Sequence, residues 1–359
     1  MDFDPVRVGV VGFGYWGPKL LRNLINSETT AAVGICEVDE QRRTSAARLH
    51  PSLVVVEDFD DLLAIPGLEA VAIATPVHTH YPLASKAVRA GKHVLVTKPF
   101  TETTREAADL IALAHERSVS IFVDHTFLFT AAVRKLRELV CAGELGTLLY
   151  YDSTRINLGL FQSDVNVIWD LAPHDFSILD FVIPRRPLRI AAVAACHAGN
   201  GLADVAYVTI DYGDAFLAHC HLNWLAPMKV RTILVGGSRR MVRYDDVEPD
   251  EKIRIYDRGI EVSHANRSAT ITPDDREGRY QTLISYRTGD IHAPWLDRTE
   301  ALFLECRTFG RSVRTGEPSA GDPLIGLRVV AMLEAATRSL QEQGAFVDID
   351  WSAEEAFRP

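Results

Sequence analysis

Val6-Arg7-Val8-Gly9-Val10-Val11 runs without a break into Gly12-Phe13-Gly14-Tyr15-Trp16-Gly17-Pro18. A short apolar run, a G-x-G-x-x-G turn and a proline just beyond it read as strand, phosphate-binding loop and helix start. Each glycine has a physical task. The first permits a tight turn, the second lets backbone N–H groups approach a pyrophosphate, and the third lets helix and strand pack closely. The helix N-terminus adds positive potential for phosphate. Phe13, Tyr15 and Trp16 lie between the glycines and belong to the same candidate cofactor contact. A second strand should then end in an acid about 20 residues on, to hold the adenosine ribose hydroxyls. Residues 31–36 form such a run, and Glu37 follows them, 20 residues after Gly17. A carboxylate there repels a 2′-phosphate, which favours NAD over NADP, although Arg42 and Arg43 lie close by.

The alternation continues outward. Apolar runs at 54–56, 70–74, 93–96 and 120–123 alternate with helical patterns at 18–25, 40–49, 80–90 and from Thr103 onward, where Thr103 and Glu106 have capping-box spacing. Continuous apolar strands between helices mean a parallel sheet covered on both faces. Residues 1–124 therefore read as an α/β Rossmann domain with a doubly wound parallel sheet. From residue 125 to 359 the texture is that of an α+β domain. A helix is expected at 131–141, and strands at 148–155, 189–195, 206–212, 215–223, 231–235 and 241–244. Several of these alternate polar and apolar residues, which implies a large open, mostly antiparallel sheet. A helix at about 173–182 interrupts it, and helices at about 297–314 and 323–341 return toward the first domain. The polar stretch 262–294 reads as a long loop or arm.

Composition narrows the function classes. The 359 residues are 47% hydrophobic and 24% charged, ordinary for a globular chain and unlike a disordered or collagenous one. The longest apolar run, residues 190–196, is far short of a membrane span. A net charge of −10 with no basic stripe argues against a nucleic-acid partner. The start of the chain shows no basic segment followed by an apolar one, so no secretory leader is expected. Cys36, Cys141, Cys196, Cys220 and Cys306 are scattered without a CxxC pair, which suits reduced thiols in the cytoplasm.

Chemistry is expected at the carboxyl ends of the parallel strands. Thr75, Pro76, His78 and His80 follow the fourth strand and are candidate cofactor contacts. Lys98 and Pro99 follow the fifth; Lys98 is placed to reach the nicotinamide end, and Pro99 fixes the chain direction after it. In the second domain Trp169-Asp170-Leu171-Ala172-Pro173-His174-Asp175 puts a carboxylate four residues before an imidazole. On a helix the two share a face, and a carboxylate beside an imidazole orients it and sets its tautomer. Oxidising a secondary alcohol needs a base for the hydroxyl proton, and histidine serves near neutral pH. His219 and His221 share a strand face with Cys220 pointing away. No cluster of metal-ligand spacing accompanies them or the His78–His80 pair, so no metal is expected.

Taken together, Gly12–Gly17, Ala74-Thr75-Pro76, His80, Gly91-Lys92-His93-Val94, Lys98-Pro99 and Asp170 with His174 resemble the Gfo/Idh/MocA oxidoreductases across nearly the whole chain. The resemblance implies NAD or NADP chemistry on sugars, cyclitols and nucleotide-linked sugars. It makes Lys98 and His174 the proton-handling pair, with Asp170 in support, and the open sheet an oligomer contact in a homodimer or homotetramer. Thr154-Arg155-Ile156-Asn157-Leu158-Gly159 and Asn223-Trp224-Leu225 look like the branch that oxidises C3 of nucleotide-linked sugars, which makes Arg155 and Asn157 candidate substrate contacts. The alternatives within the same resemblance are an inositol or free-sugar dehydrogenase, a redox-neutral NAD-dependent lyase or glycosidase, and a non-catalytic NAD-binding sensor. One residue departs from the pattern: Thr97 stands where the family usually has glutamate before the lysine.

Overall fold

Six segments pair in parallel: β1 (Val6–Val11), β2 (Thr30–Cys36), β3 (Val54–Val56), β4 (Ala70–Ile73), β5 (His93–Thr97) and β6 (Ile121–Asp124), in the order β3-β2-β1-β4-β5-β6. This is a computed structural model, and it describes residues 4–159, 161–162, 164–199, 201–262 and 284–357. Every residue of β4 is buried, as a strand between two helix layers must be. The connecting helices are α1 (Gly17–Asn26), α2 (Glu40–Leu49), α3 (Phe59–Leu63), α4 (His80–Arg89) and α5 (Thr104–Glu116). Pro18 lies in the first turn of α1, and α5 starts on a complete Thr103/Glu106 capping box. The strand order reverses between β1 and β4, and the crevice at their carboxyl ends is where ligands of such sheets bind.

Beyond β6 come α6 (Ala131–Cys141), β7 (Leu148–Leu158), α7 (Val167–Val182), β8 (Arg189–Ala195), β9 (Val205–Asp211), β10 (Leu217–Asn223), β11 (Leu225–Gly237), β12 (Met241–Asp245) and β13 (Ile253–Tyr256). With β16 (Ile291–His292) at one edge and β17 (Val347–Asp348) at the other they build a nine-stranded sheet, antiparallel except for the β7–β10 pair. One face turns inward. In β7, Tyr151, Ser153 and Arg155 are buried while Tyr150 and Asp152 are exposed. The outer face leaves Tyr150, Val193, Tyr207 and Leu217 open.

Three expectations change. Helix α7 begins at Val167, ahead of the expected 173, because Asn166 caps it by accepting from the Ile168 and Trp169 amides; Pro173 lies inside it. Strand β11 extends well past the expected 231–235. The polar stretch is not all loop: β14 (Gly259–Val262) pairs with β15 (Ile284–Arg287), and β16 joins the large sheet. Residues 263–283 of that stretch lie outside the described residues.

Of the last helices, α8 (Ala301–Thr315) lies against β1 and β2, and α9 (Pro323–Gln341) lies against β6 of the first sheet as well as β8 and β17 of the second. Leu327 and Val330 of α9 join the cluster of Phe100, Leu110 and Val123, whereas Val329 and Met332 join that of Phe176 and Ile190. Arg328 of α9 forks onto Asp180 of α7 with two bonds of 2.8 Å. Among the described residues no helix is long and apolar enough to cross a membrane.

Candidate active site

Gly12 has φ +90°, a region open to glycine, and a Cβ there would sit 2.6 Å from the Ala74 carbonyl oxygen. A Cβ on Gly17 would strike the Gly12 carbonyl. At Gly14 only the Arg42 Nη1 comes near, at 3.5 Å, so its backbone is open to a phosphate. The loop therefore fits a dinucleotide, and NAD needs the acid that follows. Glu37 is buried against this loop, its carboxylate accepting from the amides of Phe13 (2.5 Å) and Asp39 (2.9 Å). Arg43 is occupied by the Glu37 and Val38 carbonyls and by Glu57.

The side chains of the loop divide. Phe13 packs into the core edge-on to His50, so only its backbone faces the crevice. Tyr15 is exposed, with the Lys19 ammonium 3.4 Å from its ring centroid; that lysine, by hydrogen bond and charge, lowers the phenol's pKa. The Trp16 Nε1 donates to Asp124 Oδ2 at 2.7 Å.

At the end of β4, Thr75 Oγ1 meets Thr79 Oγ1 at 2.6 Å, and Pro76 and His78 are exposed. His80 corrects an expectation. It is 1% exposed, and its Nδ1 and Nε2 face the carbonyls of Pro99 and Thr75, both at 2.8 Å. It clamps two loops at the crevice instead of presenting a ring to the cofactor. Burial lowers its pKa, and Thr97 Oγ1, 3.4 Å from Nε2, is a donor for the nitrogen that carries no proton. Threonine before Lys98 thus serves the histidine clamp.

Lys98 and Asp170 meet across the domains. The Lys98 ammonium donates to the Asp170 carbonyl at 2.7 Å and to its Oδ1 at 3.2 Å, both side chains remaining partly exposed. The Lys98–Pro99 peptide is cis. Asp170 Oδ2 accepts from Trp224 Nε1 at 3.0 Å. The carboxylate expected to orient His174 is thus spent on Lys98 and Trp224. His174, one turn along α7, packs edge-on to Phe127 with centroids 5.1 Å apart, and its Nδ1 is buried without a partner. Burial first, then the charges of Lys98, Arg155 and Arg231, hold its pKa well below the ordinary histidine range. A neutral imidazole beside a lysine ammonium can take a hydroxyl proton while the ammonium steadies the oxygen.

Arg155 is the second correction. It lies under the site, its Nε 2.7 Å from Asp175 Oδ2 in a fully buried pair that Ser153 Oγ completes at 2.5 Å. Only Nη1 is left without a partner, and it is buried. The pair ties β7 to α7, and its guanidinium helps to lower the pKa of His174. Asn157 is half-buried two residues along the same strand.

Several neighbours escaped the sequence reading. His125 is buried just after β6 with both ring nitrogens unpartnered, and burial, helped by Lys98, pushes its pKa down to about 3. Its place after the last parallel strand was the available signal. Glu305 of α8 is fully buried; burial and the adjacent Asp124 charge keep its carboxyl well above the usual range, hence neutral. Arg231 of β11 pairs in register with Arg155 and lies 5.9 Å over the Phe127 ring. Strand alternation with buried Ile233 and Val235 would have turned it inward. His219 and His221 flank Tyr207 on the sheet face, His221 stacked at 4.5 Å. Among the described residues no three His, Cys, Asp or Glu side chains are grouped as metal ligands would be.

Known proteins share this architecture. UDP-N-acetylglucosamine 3-dehydrogenase of Acidithiobacillus ferrooxidans is 29% identical over 91% of this chain and 94% of its own. The scyllo-inositol 2-dehydrogenase (NADP(+)) IolW of Bacillus subtilis is 24% identical over 95% of each. The solved structure of GenD2 from gentamicin A biosynthesis, in complex with NAD, superposes with a TM-score of 0.79 at 23% identity, covering 97% of both chains, a likeness of fold. The oxidoreductase-family NAD-binding Rossmann fold matches residues 6–125, and the GFO/IDH/MocA C-terminal domain matches residues 133–243. Together they take in more than half of the sequence, and the chain belongs to the GFO/IDH/MocA family of NAD-binding oxidoreductases.

Proposed function

We propose that this protein oxidises the C3 hydroxyl of a nucleotide-linked sugar, and reduces the corresponding ketone in reverse. The observation that carries the reading is the Lys98–Asp170 contact, which joins the strand ends of the nucleotide domain to α7 one turn before a neutral His174. His174 takes the hydroxyl proton. Lys98 donates to the same oxygen and offsets the charge that develops on it. Asp170, itself held by Trp224, keeps the ammonium in place. Bound NAD supplies the hydride acceptor. The free thiols of Cys36, Cys141, Cys220 and Cys306 support a reducing cytoplasm, and the apolar outer face of the large sheet supports a homodimer or homotetramer.

The test is NADH appearance when protein and NAD meet UDP-sugars, dTDP-sugars, free hexoses and inositols. Oxidation confined to nucleotide sugars, with the product ketone at C3, is the expected result. Turnover of inositols or free hexoses alone would replace this reading by a free-polyol dehydrogenase.

Glu37 sets a second expectation. Glu37→Gln keeps an acceptor for the Phe13 amide but removes the charge, and Arg42 stands by Gly14. The ratio of kcat/KM with NADP to that with NAD should rise about tenfold or more, the scale of one charged contact. An unchanged ratio would remove Glu37 from cofactor selection.

A further inference from the structure

We propose that Arg231 and Lys229 of β11, with Lys19 of α1, form the site for the substrate's anionic group, assigned here as the diphosphate of a nucleotide sugar. The inference rests on the reading above and names the residues that would give it specificity. Three observations carry it. Arg231 is partly exposed, and its Nε is buried without a partner, a donor left wanting an acceptor. Phe127 links it to the chemistry: Arg231 lies 5.9 Å from one ring centroid, and His174 packs on the same ring at 5.1 Å. Tyr15 links it to the opposite wall. Lys19 sits 3.4 Å over that ring, and Arg231 and Lys229 are near enough for their charges to act on the phenol as well. Three cations thus act on Tyr15, and one of them, Arg231, shares the Phe127 ring with the candidate base.

Local acids offset this charge only in part. Asp175 is consumed by Arg155. Asp246 accepts from Arg231 Nη1 at 3.3 Å and from the Tyr244 hydroxyl at 3.1 Å, and Lys252 lies 3.9 Å from it. Lys229 is exposed, and the Lys19 ammonium lies over the Tyr15 and Trp16 rings, 3.4 and 5.2 Å from their centroids. A guanidinium with an unpartnered donor and two ammonium groups suit phosphate oxygens. A sugar carboxylate shares that chemistry, so the test separates the two.

NAD-saturated protein is titrated calorimetrically with UDP and, separately, with glucuronate, in buffer free of phosphate. UDP should bind, and Arg231→Gln and Lys229→Ala should each weaken it at least about tenfold, with Arg231→Lys recovering part of the loss. Lys229 is exposed, so its variant reports even where an Arg231 variant fails to fold. NAD binding in the variants should match the parent. UDP binding unmoved by either substitution, or no UDP binding at all, overturns the site. Glucuronate binding that depends on Arg231 while UDP does not bind overturns the diphosphate assignment. The two readings fail separately. Turnover of nucleotide sugars with UDP affinity insensitive to both residues sinks the site alone. Arg231-dependent UDP binding without oxidation of any nucleotide sugar sinks the C3 reading alone.

Discussion

His174→Asn should lower kcat about 10²–10⁴-fold, the range that a positioned general base contributes, while NAD affinity and thermal stability stay near those of the parent. The side chain touches Phe127 and leaves its Nδ1 unpartnered, so asparagine removes the proton acceptor with little loss of packing. The pH profile is a separate readout. A base must be unprotonated to act, and the pKa of His174 is displaced downward by burial and by three neighbouring cations. The acid limb of kcat/KM should therefore fall below the ordinary histidine range, with activity held as pH drops through the value of a free imidazole. A folded His174→Asn protein that turns over at the parental rate would remove this residue from the chemistry.

Lys98→Met should cost about 10²–10³-fold in kcat, the loss found when one donor to a developing oxyanion is removed. The substitution keeps the aliphatic stem and deletes the ammonium that bonds the Asp170 carbonyl and carboxylate. The Asp170 carboxylate then keeps the Trp224 indole but loses Lys98, so a modest fall in melting temperature should accompany the loss. The kinetics separate bracing from chemistry. A brace alone would raise KM, whereas a group acting on the reacting oxygen lowers kcat and kcat/KM together. Single-turnover rates with saturating NAD make the distinction, and a kcat within a few-fold of the parent would reduce Lys98 to a brace.

Much of the nucleotide half is legible because its physics is local. Continuous apolar strands, a glycine that needs positive φ and an acid 20 residues on are all consecutive features of the chain. Lys98 followed from the rule that ligands gather at strand carboxyl ends. Arg155 misled for the opposite reason. Alternation gives the face of a strand, but Asp175 waiting at the same depth on α7 is a matter of how two elements dock, which no local pattern carries. His80 misled similarly, since the carbonyl of Pro99 that occupies its ring lies on another loop. Glu305 was findable: Leu302, Glu305, Cys306 and Phe309 recur at helical period, so a carboxyl stood on the apolar stripe of α8. The β14–β15 pair was hidden because its flanking sequence is polar and the pair forms a sheet of its own, apart from both large sheets.

The position of α9 bears on how the chain is made. The parallel sheet is finished once Asp124 has left the ribosome, yet the helix that supplies Leu327 and Val330 to Phe100, Leu110 and Val123 follows much later in the chain. Until then that apolar face of the nascent nucleotide half stays uncovered, and Trp16 can find Asp124 but not the Glu305 behind it. Such an interval exposes hydrophobic surface to neighbouring chains on the same message. A chain cut before Pro323 would lack Leu327 and Val330 in one core and Val329 and Met332 in the other, leaving both open.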